Sequence, residues 1–284
     1  VWGVTTHTTL IDAATLAASL TSPNIAIIDC RFDLADPGWG ERIYESGHIP
    51  GAVYAHLDRD LSGAKTGANG RHPLPPLDAL RATLGRLGID DRTQVIVYDQ
   101  DTGMYASRLW WLLRWMGHHA VAVLDGGYAA WTADQRPVSS GLETVVPRVF
   151  SGEPHAGLIA DASELLALAA SPTAQLVDAR APERYRGEVE PIDPVAGHIP
   201  GAVNHFFQRN LDQGRFRSPA ALREAFATSL GDVAPSQVVC YCGSGVTACH
   251  NLLALEHAGL HGARLYPGSW SEWVADPSRP VERG

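Results

Sequence analysis

Residues 242–247, Cys-Gly-Ser-Gly-Val-Thr, place a thiol, two glycines and two hydroxyls between the apolar run Val238–Tyr241 and a segment of helical character beginning near Thr247. Gly243 and Gly245 let the chain turn where other residues resist. A loop curled in this way aims backbone N–H groups at one point, and the start of a helix adds partial positive charge there. An anion at that point is stabilised, and the sulfur of Cys242 is placed to be the anion, because helix N-termini lower thiol pKa values. Gly243, Gly245, Val246 and Thr247 are therefore expected to line the binding site of a thiolate or of a persulfide carried on it. The alternative is a small residue at a strand end followed by an incidental turn, since short glycine-rich loops are weak signals by themselves.

The elements that must position this loop are written twice. SGHIPGAVY at 46–54 returns as AGHIPGAVN at 196–204, AIIDCR at 26–31 as QLVDAR at 175–180, QVIVYD at 94–99 as QVVCYC at 237–242, and LDGGYAAW at 124–131 as YPGSWSEW at 266–273. The offset falls from 150 at His48/His198 to 143 at Tyr98/Tyr241, so the first copy carries about seven more residues after HIPG. They lie in DRDLSGAKTGANGRHPLPP, whose composition predicts a long loop. In each copy, short runs apolar at every position alternate with helical segments, the pattern of a mostly parallel sheet covered by helices on both faces. The expected organisation is α/β: one domain over 1–140, a linker over 141–157, and a second domain over 158–284. In such folds sites sit beyond the carboxyl ends of the strands, where the Cys242 loop begins. The matching loop of the first copy, DQDTGMYA, has Asp99 in place of Cys242, which predicts one active copy and one scaffold.

Of 284 residues, 45% are hydrophobic and 19% charged, normal for a soluble two-domain protein, and the net charge of -9 argues against nucleic acid as a partner. No apolar run approaches the roughly 20 residues of a membrane span, and VWGVTTHTTL shows neither the basic nor the apolar region of a signal peptide. Four cysteines are too few for a disulfide framework, which favours a reducing, cytoplasmic setting. Cys240 is expected to be buried, Cys249 to lie in the helix and Cys30 at a strand end. A zinc site from Cys240, Cys242, Cys249 and His250 does not fit the usual spacing, and no metal or cofactor is expected. WWLLRW at 110–115 has the spacing of core or interface packing.

The duplicated DxR…GHIPGA…strand-loop…GxxxxW pattern resembles the rhodanese superfamily, and the likeness runs from about residue 5 to 275. It implies two tandem rhodanese-like domains, the second catalytic. CGSGVTA is similar to the loop of the branch that uses 3-mercaptopyruvate. Thiosulfate-preferring tandem members carry basic residues after the cysteine, where this chain has Gly243 and Ser244. The resemblance implies a sulfurtransferase in which Cys242 takes a sulfane sulfur from mercaptopyruvate, or alternatively thiosulfate. The sulfur then passes from the persulfide to cyanide or to a thiol such as thioredoxin or glutathione. A monomer is the default, because the repeats already form an internal pair.

Individual residues follow from the same resemblance. Arg184 matches an arginine that holds the substrate carboxylate, with Arg186 as a close second donor; their alternative is a surface salt bridge to Glu183 or Glu188. The family's second substrate arginine falls where this chain has Ile192 or Asp193, so another basic residue or Arg186 must substitute. Asp58 and His72, with Ser244, resemble a Ser-His-Asp arrangement assisting proton transfer, which requires the two repeats to face each other. His72 otherwise serves as a packing histidine in the loop. His48 and His198, present in both copies, read as structural, and Asp29 and Asp178 as stabilisers of loop architecture. A phosphatase of this fold needs an arginine after five residues from the cysteine, and Ala248 stands there. An idle binding module is opposed by the presence of Cys242 and Arg184.

Overall fold

Runs apolar at every position need cover on both sides, and they become parallel strands. The computed structural model describes residues 6–169, 171 and 173–284. The stretch read for a signal peptide therefore lies partly outside the described residues, as does the start of the family likeness. The chain divides into two compact units, Val1–Ser62 with Pro75–Pro154, and Gly63–Leu74 with His155–Gly284. The irregular segment after residue 140 belongs to the first unit as far as Pro154, where Arg148 N–H donates to the Gly85 carbonyl at 2.9 Å.

The first unit contains β1 (Leu10–Ile11), β2 (Ile25–Asp29), β3 (Ala52–Tyr54), β4 (Gln94–Tyr98) and β5 (Val121–Leu124). They form one parallel sheet of order β1-β5-β4-β2-β3. In β4, Val95, Ile96, Val97 and Tyr98 are all fully buried, as two-sided cover requires. The WWLLRW cluster lies in the helix Ala106–Trp115, where Trp110, Trp111 and Trp115 are buried and Trp110 Nε1 donates to the Thr8 carbonyl at 2.9 Å.

The second unit contains β6 (Gln175–Asp178), β7 (Val203–Asn204), the two-residue hairpin strands β8 (Leu211–Asp212) and β9 (Arg215–Phe216), β10 (Val238–Tyr241) and β11 (Arg264–Leu265). The main sheet has the order β11-β10-β6-β7, all parallel, and a parallel bridge from Ile159 to Leu265 stands where β1 stands in the first unit. The repeat extends to the helix caps: Asp12 accepts from Thr15 N–H at 2.8 Å and Asp161 from Glu164 N–H at 2.9 Å.

In both sheets the chain moves outward in opposite directions from the central pair, β2/β4 in one and β6/β10 in the other. That reversal opens a crevice at the carboxyl ends of the central pair. The repeated residues brace it. Arg31 forks onto Asp29 at 2.6–3.1 Å and Arg180 onto Asp178 over the same range. His48 bonds the Tyr44 carbonyl through Nδ1 at 2.8 Å and stacks on that ring; His198 does the same with Tyr185 at 2.7 Å.

The long loop of the first copy starts with a single helical turn, Leu57–Asp60, and from Gly63 it is part of the second unit. Gly63 N–H donates to the Pro73 carbonyl at 2.8 Å, closing the segment on itself, and Asn69 folds it internally by accepting from Thr66 N–H at 2.8 Å and donating to the Ala64 carbonyl at 2.9 Å. Gly70 has φ +84°, and a Cβ there would lie 2.8 Å from the Gly268 carbonyl oxygen, so only glycine permits this approach.

Candidate active site

Cys242 follows directly on β10, whose last residue, Tyr241, is in register with Asp178 of β6. The sulfur is buried, 2% of the residue being exposed. Burial raises a thiol pKa, but here the Thr247 hydroxyl and the backbone N–H groups of Ser244, Ala248 and Val246 outweigh it, and the Cys242 thiol lies below its ordinary value. Gly245 N–H adds a direct hydrogen bond to Sγ at 3.2 Å. Gly245 has φ +77°, and a Cβ there would run into the Pro267 carbonyl oxygen. Gly245, Val246 and Thr247, which the sequence reading puts at the sulfur, each direct a donor to it; the Ala248 N–H, one residue into the helix Thr247–His257, adds another. Cys240 and Cys30, buried without such donors, have thiols pushed up by desolvation.

A second layer fixes the loop. Cys242 N–H donates to Ser269 Oγ at 3.1 Å, and Ser269 Oγ donates to the Tyr266 carbonyl at 2.9 Å. Trp270 and Ser271 N–H donate to the carbonyls of Cys242 and Gly243, both at 2.9 Å. Ser269 itself has φ +55°, a conformation that costs a non-glycine residue on the order of 1 kcal/mol and is held here by its two buried hydrogen bonds. Cys249 Sγ donates to the Gly245 carbonyl at 3.3 Å, so its role is within the loop's support.

The segment Gly63–Leu74 brings two side chains to this loop. His72 Nδ1 and Ser244 Oγ are 2.7 Å apart, both side chains buried. Asp58 lies in the helical turn Leu57–Asp60 of the first unit, its N–H donating to His56 Nδ1 at 3.1 Å. The second side chain is Arg71, whose backbone N–H donates to Ser271 Oγ at 3.1 Å. A Cβ at Gly243 would lie 2.7 Å from Arg71 Nη2 and 3.7 Å from each Nη of Arg184, so two guanidinium groups stand over Gly243.

Arg184 sits on the helix Pro182–Tyr185, which follows β6. Its Nη2 donates to Glu190 Oε1 at 2.7 Å and to Asp193 Oδ2 at 3.4 Å, while Arg71 Nη1 donates to Asp193 Oδ1. Burial opposes the charge on Glu190, yet Arg184 and the N–H groups of Asp193 and Ile192 hold its carboxyl below the usual range. Arg186, expected as the second donor, is placed elsewhere: its side chain is 43% exposed and forks onto Glu188 at 2.7 and 2.8 Å. The reason is helical geometry. Residues two apart on a helix point to nearly opposite sides, so a turn that aims Arg184 at the loop aims Arg186 at solvent. Arg71 was missed because it has no counterpart in the second copy and no motif around it; the signal present in the sequence was its place beside His72.

Parallel α/β sheets in tandem, one ending its central strand in a thiol inside an amide ring and the other in a carboxylate, define the class. The Rhodanese-like domain matches residues 12–134 and again 161–276, and the chain belongs to that family. Over 278 residues it is 49% identical to a Pseudomonas aeruginosa protein named a probable 3-mercaptopyruvate sulfurtransferase, covering 97% of this chain and 98% of that one. It is 41% identical over 282 residues to SseB of Mycobacterium tuberculosis, whose name refers to thiosulfate sulfurtransferase activity, covering 97% of each chain. The crystal structure of SseA from Escherichia coli, described as a 3-mercaptopyruvate sulfotransferase, is similar with a TM-score of 0.79 and 31% identity, over 93% of this chain and 99% of that one. Among the described residues, no helix is long and apolar enough to cross a membrane.

Proposed function

We propose that this chain is a sulfurtransferase that takes sulfur from 3-mercaptopyruvate onto Cys242 and passes it to a thiol or to cyanide. The observation carrying this reading is the Cys242 thiol, lowered by its ring of donors, two residues before a serine in hydrogen-bond contact with a buried histidine.

The Cys242 thiolate attacks the sulfur of mercaptopyruvate. The carbon–sulfur bond breaks and its electron pair leaves on carbon as the enolate of pyruvate. That carbanion needs a proton, and the reading assigns its delivery to His72 through Ser244, supported by their 2.7 Å contact. Asp58 is the third member of this relay by resemblance. The outer sulfur of the persulfide then remains in the amide ring, which suits an anionic sulfur as well as a thiolate. A thiolate acceptor, such as thioredoxin or glutathione, or cyanide, attacks that outer sulfur and leaves Cys242 again as thiolate, so no external reductant is consumed. All four cysteines are free, which supports a cytoplasmic setting.

The second reading keeps the chemistry and changes the donor. Two guanidinium groups over Gly243 suit a thiosulfate dianion as well as a carboxylate. The test is a side-by-side comparison of pyruvate release from mercaptopyruvate with a thiol acceptor against thiosulfate turnover with cyanide. Faster mercaptopyruvate turnover is expected; the reverse ratio rejects this donor and leaves the class standing.

A further inference from the structure

We infer that Arg71, supplied by the segment Gly63–Leu74, is the second anion-binding guanidinium of the site and works as a pair with Arg184; this rests on the sulfurtransferase reading above. Three observations converge on it. Where the family resemblance places an arginine this chain has Ile192, 47% exposed, followed by the acidic Asp193, so neither position supplies a positive charge. Arg71 Nη2 is within 2.7 Å of where a side chain at 243 would begin, so Gly243 is the residue that makes room for it. The positive charge missing from the residues after the cysteine is thereby returned from a distant part of the chain.

The third observation is the bridge. Asp193, 5% exposed at its side chain, accepts from Arg71 on one carboxylate oxygen and from Arg184 on the other. It sets the spacing of the two guanidinium groups and offsets their mutual repulsion. Nη2 of Arg71 and Nη1 of Arg184, both close to Gly243, have no protein acceptor among the described residues. Two N–H donors from separate guanidinium groups, both beside the residue that follows Cys242, fit the two oxygens of a substrate carboxylate. Arg71 is therefore a donor-binding residue that determines specificity for anionic sulfur donors.

The test is Arg71→Met and Arg71→Lys in the full chain, each checked for an unchanged thermal transition. The expected result is a rise of about tenfold to hundredfold in KM for mercaptopyruvate in R71M, the loss of one charged hydrogen bond, with kcat within about threefold. Competitive inhibition by pyruvate, which keeps the carboxylate and lacks the sulfur, should weaken in parallel, and R71K should fall between. Unchanged KM and pyruvate inhibition in a folded R71M protein overturn the inference. Should R71M not fold, R71K decides: a KM equal to that of the parent overturns it, because lysine keeps the charge and loses the fork. If the parent does not use mercaptopyruvate, the donor reading fails by itself, and the KM for thiosulfate in R71M then supports or overturns the pair in the same way.

Discussion

At the end of β4 the first repeat places Asp99; at the end of β10 the second places Cys242. Asp99 Oδ1 accepts from the N–H groups of Asp101 and Gly103 at 3.2 and 2.9 Å, and Oδ2 from those of Tyr105 and Ala106 at 2.8 and 3.1 Å. In the second repeat the corresponding ring closes on sulfur. The support is also shared: Tyr128 and Ala129 N–H donate to the carbonyls of Asp99 and Gln100, as Trp270 and Ser271 do for Cys242 and Gly243. One architecture thus holds either a carboxyl group of the protein, whose pKa burial raises against the pull of its N–H donors, or a thiol that those donors hold low. The carboxyl group fills the ring's donors with its two oxygens, each accepting from two N–H groups. The two loops also differ one position into the following turn. Gly127 takes φ +57° without strain, whereas Ser269 takes φ +55° and uses its hydroxyl to hold Cys242 N–H.

The harshest way to break this comparison is to exchange the anions. Cys242→Ser should remove turnover by at least about a thousandfold, by analogy with other nucleophile losses, and the protein should show no mass gain of one sulfur after exposure to donor. Adding Asp99→Cys to that variant should restore nothing, because the His72–Ser244 contact and the paired arginines belong to the second unit; measurable persulfide on residue 99 would defeat the comparison. Next in size, His72→Ala and Ser244→Ala should each lower kcat for mercaptopyruvate by about a hundredfold, with a smaller effect on thiosulfate, whose leaving group needs no proton on carbon.

Thr247→Val tests the ring itself. The Cys242 thiol should then move up, and the pH midpoint for iodoacetamide alkylation with it. Thiolate reactivity is present above the folded-state pKa and lost as pH falls through it, so the parent should stay reactive to lower pH than the variant. An unchanged midpoint would show that the backbone donors alone set the thiol. The smallest effect belongs to the scaffold loop. Asp99→Asn turns one acceptor oxygen into a donor facing Tyr105 and Ala106 N–H. It should cost about 1–3 kcal/mol in urea denaturation, with KM for the donor unchanged.

Much of this was legible in the residues. The repeat, the parallel strands and the anion-holding turn at Cys242 follow from apolar runs, glycines and their order, which act over a few residues. The His72–Ser244 contact was legible only through resemblance. Arg186 faces elsewhere because adjacency in sequence is not adjacency in space: two residues on, about half a helical turn, point to the opposite side. Arg71 was invisible for a different reason: its role depends on where Gly63–Leu74 lodges, and that is set by Gly70 against Gly268 and by Ser271, residues of the other repeat.

That lodging also governs how the gene can be cut. The folded catalytic unit is discontinuous in sequence, with Gly63–Leu74 donated by the repeat that has Asp99 in place of Cys242. A fragment starting at the junction between the repeats would keep Cys242, Ser244 and Arg184 and lose His72 and Arg71. The silent copy is thus not a spare that can drift away or be deleted. It is the genetic address of part of the working half, and the two copies are inherited, expressed and lost together.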